Sequence, residues 1–262
     1  MPIAGGRCGS TTPATLCVPA AHWVIVAGMG KPRPRTVPFA GRCWAVKDSS
    51  EPVGPGPNVF SDSTENVWVN TAGRLHLRIT FRGGVWRCAE VILDRSLGYG
   101  SYGFTLDSPV GRLDPHVVLG LFSWSDDPAY DHREIDIEFG LWGKDTAENA
   151  QYVVQPHDRA GNRRPFIMQA DAAPTSHTFT WVPDRVSFHS DAAAGMTIAS
   201  WRYAGPDVPP SGDERTRINL WLHGGKPPSA GSEVEVALSA FTFTPQSGQP
   251  GPPSGAAAEP TT

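Results

Sequence analysis

The feature that most constrains this chain is a period of two. In "RLHLRITF" (residues 74–81), Leu75, Leu77, Ile79 and Phe81 alternate with Arg74, His76, Arg78 and Thr80. Successive side chains of a strand point to opposite faces, so such a segment presents one apolar and one polar side. The pattern recurs in "SYGFTLD", "HVVLGLFSW", "EIDIEF", "AQYVVQ", "HTFTWV", "RVSFHS", "RINLWL" and "EVEVALSAFTFT", all short and rich in β-branched or aromatic residues. Turns such as "TAGR", "RGG", "SPVGR" and "PDR" separate them, and no ten-residue segment carries a 3.6-residue period. With 28 Gly and 26 Pro the chain is no helical bundle. The expectation is an all-β sandwich of two curved antiparallel sheets.

Residues 1–36 lack periodicity and end in "GKPRPRTVP", as an irregular extension or linker would. Residues 246–262, rich in Pro, Gly, Ser and Ala, hold too little apolar surface to offset the entropy of ordering, and a disordered tail is expected. One body, residues 37–245, lies between. The net charge of -4 provides no basic field for nucleic acid. No apolar run is long enough to span a membrane, and residues 20–29 make a poor signal peptide. Cys8, Cys17, Cys43 and Cys88 form no CxxC pair and suggest no zinc site. "GYGSYG" (98–103) fits GxGxxG, but a strand-like "FTLDS" follows where a dinucleotide site needs a helix.

The segment "HREIDIEFGLWG" (132–143) carries the chemistry. Alternation places Glu134, Asp136 and Glu138 on one face and Ile135, Ile137 and Phe139 on the other. Acids are poor strand formers, and three in a row raise one another's pKa. A merely solvated face would use Thr, Ser, Lys or mixed charges. A carboxylate pair suits glycoside chemistry, one acid as nucleophile and the other as proton donor. Glu134 and Glu138, about 13 Å apart at Cα in an extended strand, would have to lean together on a curved sheet. Spacing alone does not assign the two roles.

"EIDIE", set between "VVLGLFSW" and "AQYVVQ", resembles the signature of glycoside hydrolase family 16. "GRLHLRI" with "WRCAEVILDRSLGYGSYGF", then "HTFTWVPDRVSFHSD", "INLWLHGG" and "VEVALSAFTF", resemble further blocks of that family, in order, over residues 37–245. The ungapped ExDxE resembles the lichenase-like branch. The resemblance implies a concanavalin-like β-jelly roll and a retaining, endo-acting hydrolase of a β-linked polysaccharide, a β-glucan. A transglycosylase on the same scaffold and a non-catalytic carbohydrate-binding module are the alternatives.

The resemblance further implies Glu134 as nucleophile, Asp136 as assisting acid and Glu138 as general acid/base. It implies Glu90 as a sugar-binding acid, and Trp124, Asn219 and Trp221 along the cleft, although each Trp could equally be core. Gln151 and Gln155 should face the cleft by alternation. Asn58 is a cleft-rim residue or a plain turn asparagine. His132 stands where the family has an aromatic two places before the nucleophile. Ile92 stands where an arginine commonly follows the sugar-binding acid, and the last cleft loop, "LHGGKPPSAG", is short. Cys88 resembles a position disulfide-bonded in some lichenases; Cys43 is the first candidate partner, against two buried thiols, and Cys8 and Cys17 could close a loop. No cofactor is expected. A structural calcium is compatible with the family, without ligands legible here. The partner is a polysaccharide, the state a monomer, and the setting extracellular or cell envelope.

Overall fold

A computed structural model describes residues 33–246, apart from 170 and 172. The extension 1–32, the tail 247–262, and Cys8 and Cys17 lie outside the described residues. Strands follow in chain order: β1 (Thr36–Phe39), β2 (Arg42–Val46), β3 (Val59–Phe60), β4 (Val67–Val69), β5 (Leu75–Arg82), β6 (Val85–Leu93), β7 (Gly100–Leu106) and β8 (Val117–Trp124). Then come β9 (Ile135–Phe139), β10 (Ala150–Val154), β11 (Arg163–Phe166), β12 (Thr175–Val182), β13 (Arg185–Ala192), β14 (Thr197–Tyr203), β15 (Arg215–Leu222) and β16 (Val234–Pro245). The helices among the described residues are three single turns of 3₁₀ type. β1 starts one residue inside the expected extension.

The jelly roll has two layers. One runs β11-β10-β9-β8-β15-β6, with β2 and then β1 beyond β6; the other runs β5-β16-β7-β12-β13-β14, with β4 beyond β5. All pairings are antiparallel except short β3 beside β6. The layers are not separate sheets as expected. The far ends of β5 and β6 pair with each other, Thr80 opposite Arg87 through Arg82 opposite Val85. Nearer its start β5 bonds to β16, and nearer its end β6 bonds to β15. One hairpin thus belongs to both layers and makes a single curved sheet, because a strongly twisted sheet of this width folds over on itself.

The core fills the space between layers. Ile135, Ile137 and Phe139, the apolar half of the acidic segment, have no exposed surface. They join Leu119, Leu121, Ile218 and Leu220 from neighbouring strands and Leu77, Phe104, Phe179 and Leu238 from the opposite layer. Phe139 meets the buried His177 edge-on at 4.8 Å across the gap, and Tyr152 stacks on Phe188 at 4.8 Å. Each such side chain contributes about 1.5–3 kcal/mol by leaving water. That anchorage fixes β9 so that its other face must look out of the core.

Candidate active site

Register sets the site. Directly opposed residues of an antiparallel sheet share a face. Gln151 on β10 opposes Glu138 on β9, which opposes Gly120 on β8, then Asn219 on β15 and Glu90 on β6. The next row is Val153, Asp136, Phe122, Arg217 and Ile92. Glu134, the residue before β9, comes one step further along that face. Together these residues form an open cleft of about 390 Å³, to which Glu134, Asp136, Glu138, Glu90, Trp124, Asn219 and Trp221 all contribute. Lys47, Gly54, Pro55, Gly120, Phe122 and Arg217 complete its wall.

Gly120 explains how the floor stays open. A Cβ there would lie 2.6 Å from Asn219 Oδ1, well inside contact distance. Glycine leaves the Asn219 amide room to lie over β8. Glu90 is 1% exposed and is held by two cations, Lys47 Nζ at 2.8 Å and Arg217 Nη1 at 3.2 Å.

The acids differ in their partners. Gln151 Nε2 donates to Glu138 Oε2 at 2.7 Å, and Gln155 Nε2 to Asp136 Oδ2 at 3.1 Å. Asp136 and Glu134 share a hydrogen bond. Burial raises the pKa of all three, because removal from water penalises the charged form. The Glu134 carboxyl is pushed up to about 8, with the charge of Glu138 adding to burial. Their shared bond lowers Glu134 and raises Asp136, so the proton between them belongs on Asp136. The shared bond thus separates the pair: Asp136 holds a proton more strongly than Glu134, while burial keeps Glu134 itself above the usual carboxylate range.

The chain enters β9 through an unusual turn. Tyr130, Asp131, His132 and Arg133 all have positive φ, between 50° and 60°. Four non-glycine residues in that region cost about 1–2 kcal/mol each. Side chains hold them there. The His132 ring stacks on Trp124 at 4.0 Å, and its Nδ1 donates to the Ser125 carbonyl at 2.9 Å. Ser123 Oγ donates to the Arg133 carbonyl and accepts from the Ile135 amide. The backbone strain sits immediately before Glu134, and strain of this kind persists only where the surroundings over-determine it.

No protein-family model and no curated protein matches the sequence. Solved structures do. Over 81% of this chain and 98% of the other, it superimposes on the β-glucanase of Bacillus licheniformis at a TM-score of 0.59, with 19% identity. A prokaryotic β-1,3-1,4-glucanase (lichenase) from a mouse hindgut metagenome gives 0.58 and 20% identity, covering 78% and 93%. An immunostimulatory antigen and pseudo β-1,3-glucanase of Mycobacterium tuberculosis gives 0.58 and 22% identity, covering 76% and 89%. This is the β-glucanase fold.

Within that fold several expectations need correction. Gln151 and Gln155 share the acidic face, where their amides hold Glu138 and Asp136. His132 stacks on the cleft residue Trp124. Asn58 is 4% exposed, and its Nδ2 donates to the Pro55 and Leu222 carbonyls, both at 2.8 Å. It fastens the Pro55 loop to the end of β15 and offers nothing to a rim. Cys88 is a free, buried thiol whose Sγ donates to Asn58 Oδ1 at 3.4 Å. Burial pushes it up to about 12. Cys43 is disulfide-bonded, but not to Cys88. β2 lies beside β6 with Trp44 opposite Leu93, so Cys43 falls opposite Asp94, six residues from Cys88. That is about 20 Å along a strand, far beyond disulfide reach.

Arg217, Lys47, Phe122 and Gly120 were not singled out from the sequence. Arg217 could have been, since it alternates with Asn219 and Trp221 in "RINLWL". Another candidate pair is closed off. His177 Nδ1 bonds to Ser190 Oγ at 2.8 Å, but both are fully buried between the layers, where no substrate reaches. Among the described residues no three His, Cys, Asp or Glu side chains gather as a metal site.

Proposed function

We propose that the protein is a retaining, endo-acting glycoside hydrolase that cleaves a β-linked polysaccharide, a β-glucan. The observation that carries this reading is the acid row Glu134–Asp136–Glu138, fixed by the core on one side and lining an open cleft on the other. The glucanases of the same fold support the substrate class. In the first step the Glu134 carboxylate attacks the anomeric carbon while Glu138 gives its proton to the departing glycosidic oxygen. The bond to the leaving sugar breaks and a glycosyl ester forms on Glu134. In the second step Glu138, now a carboxylate, takes a proton from water, and the hydroxide formed displaces Glu134 from the sugar. Asp136 shares its proton with Glu134 and steadies that charge as it is lost and regained. A sugar hydroxyl in place of water would give transglycosylation.

The Mycobacterium pseudo-glucanase favours a second reading, the same scaffold as a binding module without turnover. One experiment separates the two. Purified protein is incubated with barley glucan, laminarin, xyloglucan, agarose and carrageenan, and reducing sugar is measured. Release is expected from at least one glucan, abolished by Glu134→Gln while binding persists. Binding without release from any substrate would establish the binding module instead.

A further inference from the structure

One cleft residue has no place in the double displacement. Arg217 is 7% exposed, yet it carries a full guanidinium on the cleft floor. Its Nη1 donates to Glu90 on β6, and its Nη2 donates to Asp126 Oδ1 at 2.9 Å. Asp126 lies on the loop from β8 to Glu134. The guanidinium carbon stands 5.8 Å from the Trp124 ring centroid, a distance at which a cation is attracted to the ring face.

The charges around Glu134 can be read element by element. Its own strand adds Asp136 and Glu138. β8 places the uncharged Phe122 and Trp124 there, and β10 contributes only the Gln155 amide, which donates to the Glu134 carbonyl. β6 adds another acid, Glu90, which Lys47 on the far side already pairs. In the preceding turn, His132 is bound to the Ser125 carbonyl, and Arg133 is turned to Asp127 and Asp213. Arg163, on β11, acts on Glu138; the cation that acts on Glu134 is Arg217, from β15.

Register adds an independent observation. Arg217 is directly opposite Ile92, the position two residues after Glu90 where family resemblance leads one to expect an arginine. The row keeps a cation, but the neighbouring strand supplies it.

We propose that Arg217 is a positioning residue for the reaction: it supplies the positive charge that eases ionisation of Glu134, and it ties the Trp124–Glu134 loop to the floor through Asp126 and Glu90. Its charge already acts to lower Glu134 against the upward pull of burial. The proposal rests on the reading of Glu134 as nucleophile, so one of its two readouts needs no turnover.

That readout is the titration of Glu134 by carbon-13 NMR in full-length protein labelled at glutamate, with Glu134→Gln for assignment. The other is the acid limb of kcat/KM on the glucan that the wild type cleaves. Arg217→Met removes the charge. Glu90→Gln/Arg217→Met removes it without leaving Glu90 buried and unpaired, in case the single variant does not fold. Arg217→Met should raise the Glu134 midpoint by about one unit, as loss of an opposite charge does; because the Glu90 charge itself raises Glu134, the double variant is compared with Glu90→Gln alone and should lie above it. The acid limb should move up with it, and Arg217→Lys should recover most of the shift. A purely structural role would lower kcat/KM at every pH and leave midpoint and limb in place. That result, in whichever variant folds, would overturn the proposal. If the midpoint moves but no substrate is cleaved by the wild type, Arg217 keeps its charge-holding role and the hydrolase reading falls.

Discussion

Gly120→Ala tests whether the cleft floor is built as described. Alanine suits this strand position, because Gly120 is not among the positive-φ glycines. By itself the change should stabilise the fold by about 0.4–1 kcal/mol, through lower entropy of the unfolded chain. The new methyl, however, would sit 2.6 Å from Asn219 Oδ1 and 3.4 Å from Phe122 Cδ1. The Asn219 amide, 3% exposed and flanked by Glu90 on the next strand, has to retreat by about 0.8 Å to reach ordinary contact distance. Overpacking of this kind costs about 1–3 kcal/mol. A net loss of roughly 0.5–2 kcal/mol follows, or about 1–8 °C in Tm for a domain of this size. Activity should suffer more, because position 120 is directly opposite Glu138; errors near 1 Å cost up to about 100-fold in rate. Thermal unfolding and kcat/KM are measured on Gly120→Ala, Asn219→Ala and the double variant. Removing the Asn219 side chain removes the clash, so the double variant should be no worse than Asn219→Ala alone, a coupling visible in the cycle. If Gly120→Ala melts at or above the wild type with unchanged kcat/KM, the amide does not lie across β8 and the floor has been misread.

Two further outcomes follow from the same structure. The folded Glu134 carboxyl titrates above its unfolded counterpart, near 8 against 4.5, so between those values the folded state holds a proton the unfolded state has lost. Stability should therefore fall as pH rises through that window; Glu134→Gln should melt higher than wild type at pH 8, by an amount on the order of a few kcal/mol at most, with the difference vanishing near pH 4. Ile137→Ala, at a side chain with no exposed surface, should cost about 2–5 kcal/mol in denaturant unfolding; a smaller loss would mean that β9 is not anchored by its apolar half.

What was legible in the sequence was whatever alternation encodes. Glu134, Asp136 and Glu138 fall on one face and Ile135, Ile137 and Phe139 in the core because a strand has a period of two, and the same rule brought Gln151 and Gln155 to that face. Whether a side chain on that face reaches substrate or is used up by a neighbour depends on partners from other strands. Gln151 bonds Glu138 only because β10 pairs with β9 in that register. The partners of Asn58 and His132 were hidden for the same reason: Leu222 and Trp124 come from elements far away or across a turn. The continuity of the two layers escaped too, because a hairpin shared between sheets looks locally like any other hairpin. The Cys43–Cys88 pairing failed on a distance along β6 that only register reveals.

The rows of the cleft also bear on how such a site can evolve. Each row is a line of neighbouring positions drawn from strands that are remote in sequence, so what a ligand meets at one point on the floor is the sum over a row and not the identity of one residue. A guanidinium lost at position 92 can be regained at 217 with little change in the field above the floor. Function is then conserved in two dimensions while each strand, read on its own, has drifted. Alignments scored column by column register a loss and an unrelated gain there; the sheet registers one exchange.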